Sequence, residues 1–414
     1  MGPNGPSMLT LLVLALVGLF AGSLINAAIY AWAWHPRPIS PWQRPHPNAP
    51  PRRWTDRLPV IGWLGLRREA FLHGRAFWVR PLCLELVCGL GLPALYAWEV
   101  GGHLTPPLPL VGLMPPGPQM LRHLVVAHSL LAGLMLIATF IDFDEKTIPD
   151  EVTIPGTLAG LLLAVIWPDV HLPVLQSVGE GQWAYQPLRL VSDGTWPAWL
   201  RAWPGLAIGL AIYGGWCAAL VPAVATLRRG WWKAVQYYLA SGWRWGGWRR
   251  AALWGLVGTA GIVGVWGLWP DRWPALLTAL VGLGVGGGMV WAVRVAGWLA
   301  LRQEAMGFGD VTLMAMIGSF LGWQASLLVF FFSPFAALGI AVGQWVLTGR
   351  RDLPYGPYLC AAALGVILAW PWCWRTFGEL FMVGWLLPAV LAVCLALLVG
   401  GLTAWRAVRE ALGG

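Results

Sequence analysis

Apolar residues run along this chain in stretches that repeatedly exceed the roughly 18 residues needed to cross a bilayer as a helix. Short polar connections rich in arginine, proline or glycine separate them. The pattern predicts spans at Met8–Trp34, Leu82–Val100, Leu121–Ile141, Ile154–Trp167, Pro204–Leu227, Ala251–Trp269, Trp273–Leu301, Val311–Trp323, Gln324–Leu347, Tyr358–Trp372 and Leu380–Trp405. Val311–Trp323 is short for a span and predicts a partial crossing that thins the local bilayer. The fold class is therefore all-α and polytopic, with about eleven transmembrane helices and a cytoplasmic loop domain after the first helix. The first stretch lacks a basic start and a small-residue cleavage site, so it reads as a retained helix.

Composition agrees: 58% of residues are hydrophobic and 11% charged, against about 25% charged in an ordinary soluble domain. Charge then sets the orientation. His35–Arg80 holds nine arginines, Arg228–Arg250 holds five plus Lys233, and Gly101–Met120 holds no Lys or Arg. By the positive-inside rule the N-terminus lies outside and both basic loops are cytoplasmic. The same alternation puts "IDFDEKTIPDE", "LRQEAMGFGD", "TGRRDLPYGPY" and the C-terminal "RAVREALGG" on the cytoplasmic side. The net charge of +9 follows from topology and from attraction to an anionic leaflet. No soluble stretch is long enough for a nucleic-acid-binding domain. In Arg228–Arg250, six basic residues and five tryptophans predict a segment lying in the headgroup region.

The 31 tryptophans gather at span ends, as an interfacial belt does. Cys83, Cys88, Cys217, Cys360, Cys373 and Cys394 form no C-x-x-C pair, which argues against a zinc ribbon or a disulfide framework. His35, His46 and His73 are too irregularly spaced to suggest a metal site.

Chemistry concentrates in the scarce carboxylates, 18 in 414 residues. Asp142, Asp144, Glu145, Asp150 and Glu151 cluster where one span ends and the next begins, and a solvated interhelical loop would explain such a cluster. Asp310, at an equivalent depth on the same side, changes the balance. An acid near bilayer level costs on the order of 2.5–3.5 kcal/mol and usually faces a protein interior. Gly307 and Gly309 leave room beside it for an extended peptide. Two carboxylates held close share one proton, so one can activate water while the other protonates the carbonyl or the leaving amine.

"IDFDEKTIPDEVTIPG" and "MGFGDVTLMAMIGSFLGW" resemble the two aspartate motifs of the type IV prepilin peptidases, intramembrane GxGD-type aspartic proteases. "GLFAGSLINAAIY" is similar to the family's first-helix signature, with Gly22, Ser23 and Asn26 in place. "DRLPVIGWLGLRRE", "RPLCLELVCGL" with Arg80 and Glu85, and "LPYGPYLCAAAL" resemble later family segments in the same order. The resemblance implies Asp142 and Asp310 as the catalytic pair, with Gly307, Gly309, Pro149 and Asp150 lining the substrate site or shaping its loops. Asp144 and Asp150 fall outside the matched catalytic role and are read as solvated or loop-shaping. It further implies a prepilin or pseudopilin substrate, cut after a glycine at the cytoplasmic face of the inner membrane, and methylation of the new N-terminus with S-adenosylmethionine. The implied domains are 8–100, with the loop 35–80 tied to methylation, and a peptidase domain 121–405.

Two features depart from the family. The paired C-x-x-C motifs that bind zinc in many members are absent from the first loop, so zinc is not expected and methylation is less firmly implied than cleavage. A block of about 169–271 is inserted between the aspartates; its even number of spans keeps Asp310 on the cytoplasmic side. The alternatives are another GxGD protease of the presenilin or signal-peptide-peptidase type, a proton-coupled transporter, and an inactive scaffold. Against them stand, respectively, I-D in place of Y-D before the loop, the absence of a visible inverted repeat, and the presence of both aspartates.

Overall fold

The computed structural model describes residues 6–105, 113–114, 116–179, 182–191, 196–221, 231–244, 247–301, 306–348, 354–384 and 386–411. Its helices are α1 (Met8–Trp32), α2 (Val79–Val100), α3 (Pro118–Glu145), α4 (Asp150–Ile166), α5 (Trp203–Ala219), α6 (Trp231–Arg244), α7 (Gly247–Leu268), α8 (Trp273–Leu301), α9 (Phe308–Thr348), α10 (Gly356–Leu368), α11 (Trp370–Phe377) and α12 (Leu386–Ala411), besides shorter turns. Among the described residues seven helices are long and apolar enough to cross a membrane, or eight if α10 and α11 count as one span bent by 85°. The remaining predicted spans correspond to α4 and α5, at 17 residues each, and to the second half of α9. A 17-residue helix rises about 26 Å, short of a hydrocarbon core of about 30 Å. The helical class holds, with one addition: a three-stranded sheet of β1 (Leu113–Met114), β2 (Pro173–Gly179) and β3 (Gln182–Pro187), in the order β1-β3-β2.

The helix α9 is a hairpin. At Gly322 the backbone takes φ 81° and ψ 172°, a left-handed φ that suits glycine. In a straight helix residues 318 and 326 would stand about 12 Å apart, yet a Cβ on Gly318 would come within 3.0 Å of Ser326 Oγ. The apex is clamped from the sheet side: Trp323 Nε1 donates to the Leu190 carbonyl (2.8 Å) and Gln324 Nε2 to the Arg189 carbonyl (2.7 Å). The outward leg lies backbone-to-backbone on α8. A Cβ on Gly282 would sit 2.1 Å from the Gly318 carbonyl oxygen, and one on Gly286 2.5 Å from that of Met314. Small residues thus set the closeness of this crossing, as they do between helices in lipid.

A second set of close approaches joins α1 to α2, where Gly18 and Gly22 abut Cys88 and Glu85. Asn26 Nδ2 donates to the Pro81 carbonyl (2.9 Å). Buried Glu85 accepts from the Val60 N–H (2.5 Å) and from Trp63 Nε1 (2.9 Å). The segment between α1 and α2 is thereby folded against them around a small core of Tyr30, Ile39, Trp63 and Leu66. Arg52 organises it, binding Glu69 at 3.1 Å through two nitrogens and donating to the carbonyls of Ser40, Gln43 and Pro38. Burial alone would raise the Asp56 pKa, but hydrogen bonds from Arg68 and the Arg53 N–H hold it below the usual carboxylate range.

At the sheet end, buried Glu99 pairs with His128 (2.7 Å). Nearby His171 is pushed down to about 3 by burial and by the charges of Arg189 and His128.

Candidate active site

Four chain segments meet at the opposite end. The helix α3 closes with Asp142 in its last turn, and Lys146, at φ 56°, ends it in the left-handed conformation. Ile148 follows, and Pro149 caps α4, whose first turn holds Asp150 and Glu151. Acids are favoured there by the helix dipole. Asp310 stands in the first turn of α9, and the fourth segment is Tyr355–Gly356, leading into α10.

Asp142 and Asp310 are buried, 4% and 8% exposed, and the charge of Asp310 lies within electrostatic reach of Asp142. Neither has a lysine or arginine partner among the described residues. Asp142 Oδ2 accepts the Gly356 N–H at 3.2 Å, and Asp310 accepts the Gly307 N–H. Buried carboxylates normally carry a cation or a full set of donors. Among the described residues these two have only backbone donors and lie within electrostatic reach of each other, an arrangement suited to passing a proton.

Glycines set the spacing. A Cβ on Gly309 would stand 2.9 Å from Ile148 Cβ, and one on Gly356 2.6 Å from Asp142 Oδ2 and 2.8 Å from Ile148 Cδ1. Ile148 is therefore the wedge between the two glycine-bearing strands of chain, and bulk at either would displace a carboxylate. Gly307 is exposed and Gly309 half-buried, on the open side of the pair. Asp150 is exposed, at the start of α4 and away from the Asp142 hydrogen bonds.

Asp144 and Glu145 act differently. Asp144 binds Arg80 through both oxygens (2.7 and 2.9 Å), with Arg37 at 3.7 Å. Glu145 accepts the N–H groups of Trp34 and His35 (2.6 and 3.0 Å). Asp144 fastens the end of α3 to the start of α2 and Glu145 fastens it to the segment after α1. Tyr355 was not singled out by the sequence reasoning; its hydroxyl meets Ser333 on the return leg of α9, and Asp310 lies within electrostatic reach. The signal was the Y-G-P triplet just before a helix, since a glycine there marks close backbone approach.

Residues 250–342 match the model of the type IV leader peptidase family. The chain is 36% identical over 101 residues to a prepilin leader peptidase/N-methyltransferase of Pseudomonas putida, covering 23% of this chain and 34% of that protein. It is 33% identical over 95 residues to that of Aeromonas hydrophila, covering 22% and 32%. It is 32% identical over 101 residues to the leader peptidase HopD of Escherichia coli, covering 23% and 61%. The chain thus spans about a third of the length of the first two relatives in its matched stretch. No solved structure matches. Asp310 lies inside the stretch 250–342 that matches the type IV leader peptidase family.

Proposed function

We propose that this multi-pass inner-membrane protein is an aspartic endopeptidase that removes the leader of type IV prepilins or pseudopilins, with Asp142 and Asp310 as its catalytic pair. The observation that carries the proposal is the pair itself: two buried carboxylates with no lysine or arginine partner among the described residues, one of them inside the stretch matching the leader peptidase family. One carboxylate takes a proton from water as it adds to the scissile carbonyl carbon. The other, protonated, stabilises the oxygen and then delivers its proton to the leaving amine as the C–N bond breaks. The proton taken from water restores the acid, so no net proton is consumed. The arginine-rich segment 35–80 supports a cytoplasmic position for this end of the bundle.

The relatives' name extends the proposal to methylation of the new N-terminus with S-adenosylmethionine. Between α1 and α2 lies a cavity of about 360 Å³ lined by prolines, Arg37, His46 and His73. No acid among its lining residues could hold a ribose. The cavity does not fit that group, so no methyl-transfer step is assigned to its residues.

Co-expression with a prepilin, followed by intact-mass measurement of the pilin, tests both activities. Loss of the leader mass is expected. An additional methyl group would establish the second activity, and an uncut prepilin would refute the peptidase proposal.

A further inference from the structure

A groove of about 620 Å³ runs through the apolar zone between α1, α2, α3 and α10. Its walls are apolar and include a row of small residues, Gly18 and Ala21 of α1, Gly91 of α2, Ala132 and Gly133 of α3. Exposed Leu90 and Leu364 flank it. One end is closed where Trp98 Nε1 donates to the Leu368 carbonyl (3.2 Å). The other reaches Phe143 and Pro357, the neighbours in sequence of Asp142 and of the Gly356 N–H that binds it.

Dimensions decide what fits. From Ser129 to Phe143 on α3 and from Pro357 to Leu368 on α10 the lining covers roughly 16 to 21 Å of helix axis, or 11 to 14 residues. A helix of that length lies along the groove, and because exposed Leu90 and Leu364 flank it, the helix can lay one face in it and keep the other in lipid. Glycine and alanine walls permit that close approach.

We propose that the groove docks the apolar transmembrane helix of the peptidase substrate, one face down, with the helix ending at Asp142 and Asp310 so that the chain beyond it crosses the carboxylates extended. This rests on the leader peptidase reading and adds how the substrate is held: selection falls on a helix face of about three turns that meets small residues with bulky apolar ones, and a charge on that face is rejected.

Gly91 has nothing within 4 Å of where a Cβ would be, so Gly91→Leu fills the groove without straining the backbone. The test compares cleavage of a full-length prepilin with that of a short leader-junction peptide lacking the helix, in wild type and Gly91→Leu. The ratio of kcat/KM for full-length over short substrate falls at least tenfold in the variant if the groove docks the helix. An unchanged ratio, with the full-length substrate cut as by wild type, overturns the docking proposal. A photo-crosslinker at Ala361, a groove residue on α10, gives a second readout in native membranes. It attaches to the substrate helix if the proposal holds; attachment to phospholipid alone, with substrate present, overturns it. If wild type cuts neither substrate, the leader peptidase reading itself fails.

Discussion

The acids of the segment between α1 and α2 and the acids at the end of the bundle are buried to a similar degree and live in opposite company. Glu69 is fully buried beside Arg52, and Asp56 beside Arg68. Asp142 and Asp310 are nearly as buried and, among the described residues, have no lysine or arginine beside them. A buried charge is tolerated when it is paired. The first two therefore hold a shape together, and the second two are maintained against the stability of the fold, which is where function concentrates. Asp144 sharpens the contrast: two residues from Asp142, it is fastened to Arg80.

The contrast can be broken by experiment. Asp142→Asn or Asp310→Asn removes a proton carrier and retains the shape, so cleavage should fall by about 10²–10⁴-fold with membrane-inserted protein at wild-type level; a variant that still cleaves normally would remove that residue from the chemistry. Glu69→Ala should do the reverse. It leaves Arg52, 10% exposed at its side chain, without its counter-ion, at a cost of about 3–5 kcal/mol. Limited proteolysis in detergent should then cut segment 34–78 faster, and unchanged resistance would show that the pair does not hold the segment.

Gly356→Ala tests spacing, because its Cβ would stand 2.6 Å from Asp142 Oδ2. Misplacing the carboxylate should lower kcat about 100-fold, and a rate near wild type would show that the loop yields instead. The smallest effect is expected for Asp144→Asn. Its ion pair lies at the surface and is worth about 1 kcal/mol or less, so cleavage should stay within about fivefold of wild type. A loss as large as that of Asp142→Asn would exchange the roles of the two residues.

The helical class and the clustering of acids at one end were legible because apolar runs and scarce charges are local features of a sequence. The pairing of Asp142 with Asp310 was visible only through the resemblance, since 168 positions separate the two and no periodicity connects them. What stayed hidden depends on long-range approach: Ile148 wedged between Gly309 and Gly356, and the Gly356 N–H on Asp142. The return of α9 at Gly322 was read as two spans, and the sequence marked the division one residue away, between Trp323 and Gln324. The sheet was missed because β1 has two residues and β2 and β3 lie in a stretch read as an outside loop.

The hairpin of α9 also bears on how the protein is made. Its outward leg, from Phe308 to the break at Gly322, rises only about 21 Å, too little to rest stably across a hydrocarbon core of about 30 Å by itself. During synthesis the leg must wait for its return partner and enter with it as a pair, against a glycine face of α8 that has already been laid down. Asp310 therefore reaches its working depth only after the return leg has left the ribosome. Until then the nascent chain holds Asp142 alone, so the carboxylate pair is assembled late, inside the membrane, by the chain's own folding order.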